Sequence, residues 1–173
     1  VLSQNYPPDR MEILIADGMS TDSTREVVER LKRSNPHIKI DLIDNPGHVV
    51  SAGMNAGLVR ARGDVIVRVD GHTLIAGDYV RECVDALHRS RASNVGGPMN
   101  AVGLGLIGEA VAIATSSPFG VGGARFHYSN REEWVDTVYM GAWPCDVFRC
   151  IGAFDEEMVR NQDGSVKAGS LAR

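Results

Sequence analysis

The chain has little of what lets a protein class be read from composition alone. Its three cysteines, Cys83, Cys145 and Cys150, are an odd count without a Cys-x-x-Cys pair, so reduced thiols are expected rather than a disulfide framework. Cys145 and Cys150 offer at most half a zinc site, with no second pair to complete it. No apolar run approaches the roughly 20 residues of a membrane-spanning helix. Aromatic residues make up only 6%, the net charge is −4, and no basic stripe interleaved with aromatics occurs, which argues against nucleic-acid binding. No internal repeat stands out. What remains is a 173-residue chain, 43% hydrophobic and 23% charged, long enough for a sizeable core and composed like an ordinary globular domain.

Chemistry concentrates at strand ends. Asp64-Val-Ile-Val-Arg-Val-Asp-Gly-His72 carries a β-branched run, Val65, Ile66, Val67 and Val69, expected to be a buried strand of a mostly parallel sheet. Asp70 and His72 stand at its carboxyl end, where open α/β sheets bind ligands. A carboxylate and an imidazole two residues apart can face one divalent cation and a diphosphate. A strand-terminating Asp-Gly-His turn would look the same. Glu12-Ile-Leu-Ile-Ala-Asp17 is a second apolar run closed by an aspartate, followed by Gly18-Met-Ser-Thr-Asp-Ser-Thr24 and a helical pattern through Val27, Val28 and Leu31. Ser20 or Thr21 is expected to cap that helix. Ile38–Asp44 alternates like a strand, and Val50–Ala61 reads as a helix whose Gly53 and Gly57 bring it close to the sheet or to a ligand.

In the second half, Tyr79, Val80, Cys83, Val84 and Leu87 recur at helical spacing, so residues 78–89 are expected to be an amphipathic helix. Residues 94–99 read as a short strand and 103–115 as an apolar helix. Gly103-Leu-Gly-Leu-Ile-Gly108 follows no strong strand and fails the context of a dinucleotide fingerprint. Residues 133–140 are expected to be one strand, with a turn and short helix over 141–152 and the loop Val159-Arg-Asn-Gln-Asp163 beyond.

Ala16-Asp-Gly-Met-Ser-Thr-Asp-Ser-Thr24 resembles the Asp-Asp-Gly-Ser-x-Asp-x-Thr signature of family 2 glycosyltransferases, with Ala16 in place of the first aspartate and the serine shifted to position 20. Asn55-Ala-Gly57, the step Ala61-Arg-Gly-Asp64, Val69-Asp-Gly-His72, Ser116-Ser-Pro-Phe-Gly-Val-Gly122, Gly152-Ala-Phe-Asp-Glu156 and Arg160-Asn-Gln-Asp163 follow in family order. The arrangement is most similar to bacterial succinoglycan-type exopolysaccharide glycosyltransferases. The resemblance implies a GT-A fold, α/β and Rossmann-like, with a mostly parallel central sheet flanked by helices and the family's first strand missing. It implies one domain over 1–163, with a nucleotide-sugar donor half at 1–98 and an acceptor half at 99–163, and an irregular tail at 164–173.

Functionally, the resemblance implies transfer of a sugar, with inversion, from a UDP-sugar or related donor to a saccharide or lipid-linked saccharide. Asp17 would orient the nucleotide base, Asp70 the ribose or the metal, and His72 the metal. Asp163 would be the general base on the acceptor hydroxyl. The cofactor would be Mn²⁺ or Mg²⁺, since imidazole favours the former. The place would be the cytoplasm, at the inner face of the membrane for the full-length protein, and an unpaired sheet edge would favour self-association. The alternative is a non-catalytic fragment that binds a nucleotide sugar, or a scaffold domain. A response-regulator-like domain is disfavoured, because neither a lysine ending a late strand nor a phosphate-binding loop is present.

Overall fold

The computed structural model describes residues 1–117, 125–129, 131–157 and 170–172. Strands and helices alternate through its first two thirds: β1 (Glu12–Asp17), α1 (Thr24–Ser34), β2 (Lys39–Asp44), α2 (Val50–Arg60), β3 (Val65–Val67), α3 (Tyr79–Ser90), β4 (Asn94–Gly97) and α4 (Gly105–Thr115). Then come β5 (Glu133–Val135), β6 (Tyr139–Pro144), α5 (Cys145–Ile151) and β7 (Ser170–Ala172). The chain divides into two compact units, Val1–Ile66 with Pro144–Val166, and Val67–Trp143 with Lys167–Arg173.

In the first unit β1 and β2 pair in parallel, Glu12 opposite Lys39 through to Asp17 opposite Asp44. Parallel neighbours need a crossover, and α1 supplies it. Val28 of α1 is buried with Ile38 and Ile40 of the β2 segment, and Leu2, Ile13, Ile15 and Leu42 pack around them. Helix α2 lies against β1 and β2. Gly53 is required for that approach, because a Cβ there would stand 2.9 Å from the Asn45 side-chain nitrogen and 3.1 Å from the Ala16 Cβ. At Gly57 a Cβ would meet nothing within 4 Å, so the close approach to the sheet is made at Gly53 and not at Gly57.

A five-stranded sheet runs in the order β3-β6-β4-β7-β5. β4 pairs antiparallel with β6 and parallel with β7, while β5 pairs antiparallel with β7. The second unit therefore mixes directions where the first is parallel. Its buried residues include Val80, Cys83, Ala86 and Leu87 of α3, with Val95, Met140, Ala142 and Trp143 of β4 and β6. Burial and the neighbouring Tyr79 hydroxyl set the Cys83 thiol, which is pushed up to about 11.

Three local expectations are corrected. The strand expected through Val69 ends at Val67, because the chain turns over Asp70–Thr73. The single strand expected over 133–140 is two, since β5 pairs with β7 and β6 with β4, and the chain must break at 136–138 to change partners. Ser170–Ala172, within the stretch expected to be irregular, form β7, because backbone pairing alone needs no apolar pattern.

Helix α4 forms over 105–115 in a segment expected to be apolar and helical, with Leu106 and Ile107 each more than 80% exposed. Among the described residues no helix is long and apolar enough to cross a membrane.

Candidate functional site

The end of β1 delivers Asp17 into the first unit with a side chain only 2% exposed. Such a carboxylate needs hydrogen bonds to remain charged. The Ser20 amide donates to both of its oxygens, at 3.3 and 3.2 Å, and the Ser20 hydroxyl donates to Oδ1 at 2.5 Å. Arg25, the second residue of α1, donates from Nη1 to Asp17 Oδ2 at 3.0 Å. Its other amino group donates to Asp44 Oδ1 at 2.5 Å. One guanidinium thus forks across two carboxylates that the β1–β2 register sets side by side. The hydrogen bond to Asp44, and then the charges of Asp44 and Asp17, hold Arg25 above its ordinary value.

Neither Ser20 nor Thr21 therefore caps α1 as expected. Ser23 is the N-cap, without a side-chain bond, and Asp22 accepts from the Thr24 amide at 2.9 Å. The turn after β1 is tied to the loop after β2. The Asn45 amide donates to the Asp17 carbonyl at 2.8 Å, and His48 Nδ1 lies 2.7 Å from the Gly18 carbonyl oxygen, which accepts its proton. Met19 and His48 both adopt left-handed backbone, with φ of 60° and 55°. These conformations are costly for non-glycine residues and cluster at ligand sites.

In the second unit, the Thr73 amide donates to the Asp70 carbonyl at 3.0 Å and closes a turn with Gly71 and His72 at its tip. Arg68 fixes the Asp70 carboxylate with two bonds, Nε to Oδ1 at 2.8 Å and Nη2 to Oδ2 at 3.1 Å. His72 itself is exposed. The turn is braced from β6. The Thr73 and Tyr139 hydroxyls are 2.9 Å apart, the Tyr79 hydroxyl donates to the Met140 carbonyl at 2.6 Å, and buried Met140 sits at φ 45°. Burial pushes the Tyr79 hydroxyl far above its ordinary value.

A third constellation belongs to the first unit. Asn55 of α2 receives the Phe154 amide at 2.8 Å and donates to the Phe154 carbonyl at 2.9 Å, completing both backbone bonds of that residue. It also donates to Glu156 at 2.7 Å. Asp163, the expected base, lies outside the described residues.

Asp17 is thus in one unit, and Asp70 and His72 are together in the other. Sequence reasoning missed Arg25 and Arg68 as the groups that hold Asp17 and Asp70, and Asp44 as the second partner of Arg25. A signal existed for Arg68, two residues before Asp70 in an extended segment and so on the same face. None existed for Arg25, whose partners are fixed by the register of β1 and β2.

Among the described residues no group of three or more His, Cys, Asp or Glu is arranged to hold a metal ion. Asp70 and His72 supply one carboxylate and one imidazole. That donor set fits a cation shared with a ligand's phosphate oxygens rather than one caged by protein.

Residues 1–143 match the family model described as glycosyl transferase family 2. The succinoglycan biosynthesis protein ExoA of Rhizobium meliloti (strain 1021) is 29% identical over 167 residues, covering 95% of this chain and 50% of that protein. The chain spans about half the length of the curated relatives it matches. The mannosyltransferase PcManGT of Pyrobaculum calidifontis, solved with GDP-Man and Mn²⁺, superimposes with a TM-score of 0.67 at 20% identity, covering 95% of this chain and 43% of that one. S. aureus TarS in complex with UDP gives 0.65 at 13% identity, over 99% of this chain and 54% of that one. The fold is that of the GT-A glycosyltransferases.

Proposed function

The chain belongs to glycosyltransferase family 2, and we propose that it moves a sugar from a nucleotide-diphosphate donor to a saccharide or lipid-linked saccharide acceptor with inversion. The setting is exopolysaccharide or cell-surface glycan synthesis, in keeping with the kinship to a succinoglycan biosynthesis protein, and the place proposed with it is the cytoplasmic face of the membrane. Residues 1–98 serve the donor and 99–163 the acceptor. The observation that carries this reading is the turn at Asp70–Thr73, with a carboxylate oriented by Arg68 and an exposed imidazole two residues on.

Asp17 orients the nucleotide base, and Asp70 and His72 would hold the divalent cation, Mn²⁺ before Mg²⁺. When bound, that cation offsets the charge that builds on the departing diphosphate. Arg68 keeps the Asp70 carboxylate in one orientation, which spares the site reorganisation when donor arrives. Inversion needs a base on the face of the sugar opposite the leaving group, and Asp163 takes the proton of the attacking hydroxyl there. Asn55 anchors Phe154 and Glu156, the block that precedes Asp163 in the chain.

Calorimetric titration with UDP and then GDP, with and without Mn²⁺, on wild type and His72→Ala tests the reading. Metal-dependent binding that weakens about tenfold in the variant is expected. Nucleotide binding indifferent to both Mn²⁺ and His72 would sink the metal assignment.

A further inference from the structure

We propose that Arg25 determines which class of nucleobase the donor carries, by presenting an N–H donor beside the Asp17 carboxylate. This rests on the reading that Asp17 lies at the base end of the donor site, and it adds the selecting group and the chemistry selected.

Asp17 alone is poorly suited to meet a ligand. Its side chain is 2% exposed, and both its oxygens already accept from Ser20 and Arg25. Arg25 is 38% exposed and lies over it, so a base edge arriving at Asp17 meets the guanidinium at the same time. Two Arg25 nitrogens are engaged, Nη1 with Asp17 and Nη2 with Asp44, and each carries a second hydrogen.

Asp44 explains how the pair can open. Its side chain is 61% exposed and it holds the outer end of the fork. When a ligand N–H takes the place of Nη1 on Asp17, the guanidinium stays paired to Asp44 and remains beside the base. The charge of Arg25 is never left alone, and an N–H is freed to donate to the ligand.

The two groups then read adjacent positions on one base edge. The carboxylate accepts only and the guanidinium donates only. An imide N–H next to a carbonyl oxygen satisfies both, and uracil and guanine carry that edge. Cytosine and adenine place an unprotonated ring nitrogen against the carboxylate and an amino group against the guanidinium. Both contacts are then repulsive, and the buried Asp17 carboxylate gains no donor from the base, a mismatch that costs a site far more than a lost methyl group does.

The test is equilibrium titration of the 173-residue chain with UDP, GDP, CDP and ADP at one Mn²⁺ concentration, on wild type, Arg25→Gln, Arg25→Lys and Asp44→Asn. The diphosphate and metal contributions are common to all four ligands and cancel in the ratios. For wild type, the better bound of UDP and GDP is expected to exceed CDP and ADP by about tenfold or more. Arg25→Gln should lower that ratio severalfold, because an amide can accept as well as donate, and Arg25→Lys, which still only donates but without the fork, should lower it less. Asp44→Asn, at an exposed position that leaves the fold intact, should weaken the preferred nucleotide about fivefold by leaving Arg25 settled on Asp17.

Equal binding of all four nucleotides by wild type overturns the inference while leaving a donor site that reads only diphosphate. Unchanged selectivity in both Arg25 variants overturns it in favour of Asp17 acting alone. Binding of none of them overturns the donor reading itself, and the inference with it. Thermal melts monitored by circular dichroism identify a variant that has not folded, in which case Asp44→Asn decides.

Discussion

The two strand ends handle an aspartate differently. After β1, Asp17 is buried, accepts from Ser20 and Arg25, and shares its cation with a second carboxylate. After β3, Asp70 is partly exposed, is gripped by one arginine two residues away, and hands on to an exposed histidine at the tip of a turn. The first arrangement is a network across β1, α1 and β2, and the second is local to six residues braced by β6. A long-range network suits a group that discriminates, because Arg25 stays held by Asp44 when its bond to Asp17 opens. A local clamp beside an exposed imidazole suits a group that exchanges ligands each turnover.

The comparison can be broken most severely at Asp17. Replacement by Asn removes the charge that Ser20 and Arg25 serve, and is expected to cost about 2–3 kcal/mol in urea denaturation. Nucleotide binding should fall about tenfold or more alongside it. Stability unchanged within 0.5 kcal/mol would show that the network is not structural.

Alkaline pH loosens the second unit by a route of its own. The Cys83 thiol ionises near 9.0 when unfolded and near 11 when folded, because burial disfavours the thiolate. Between those values the unfolded state binds fewer protons, so stability falls as pH rises, by about 2–3 kcal/mol, and none of this is lost below pH 9. Tyr79, raised in the same sense, extends the loss upward. Denaturant midpoints across pH 8 to 11 check it, and Cys83→Ala should flatten the slope. Thiol labelling should accordingly modify exposed Cys150 well before buried Cys83.

Smaller effects separate clamp from reader. Arg68→Met releases the Asp70 carboxylate and should cost about 1–2 kcal/mol, with a severalfold loss in Mn²⁺-dependent nucleotide affinity. His72→Ala sharpens the contrast most at the least cost. Its melting midpoint should stay within what about 0.5 kcal/mol would move, because an exposed side chain is removed, while metal-supported binding drops. A destabilised His72→Ala protein would place the imidazole in the fold rather than in the site.

How much was legible follows from which interactions are local. The strands ending at Asp17 and Asp44, the amphipathic α3 and the apolar α4 were readable because period and propensity act within a few residues. So was the placement of Asp70 and His72 past a strand end. The split of 133–140 into β5 and β6 was not, since it depends on which neighbours β4 and β7 accept. Ser20 was assigned to a helix cap because Ser near a helix start usually caps, yet the buried Asp17 carboxylate claims its hydroxyl. Arg25 was invisible for a related reason: nothing in a linear chain says that positions 17 and 44 will lie side by side.

The pairing of Asn55 with Phe154 spans 99 residues of chain. During synthesis β1, α1, β2 and α2 leave the ribosome first, and the backbone they await is not yet made. At about 5–20 residues per second, that interval is on the order of 5–20 s. Throughout it α2 carries an unsatisfied amide over an incomplete unit, while most of the second unit is being translated, whose own sheet waits for β7 at Ser170–Ala172. The first unit is therefore left incomplete, and open to aggregation and to chaperones, for that interval, and a pause in translation before Phe154 would lengthen it.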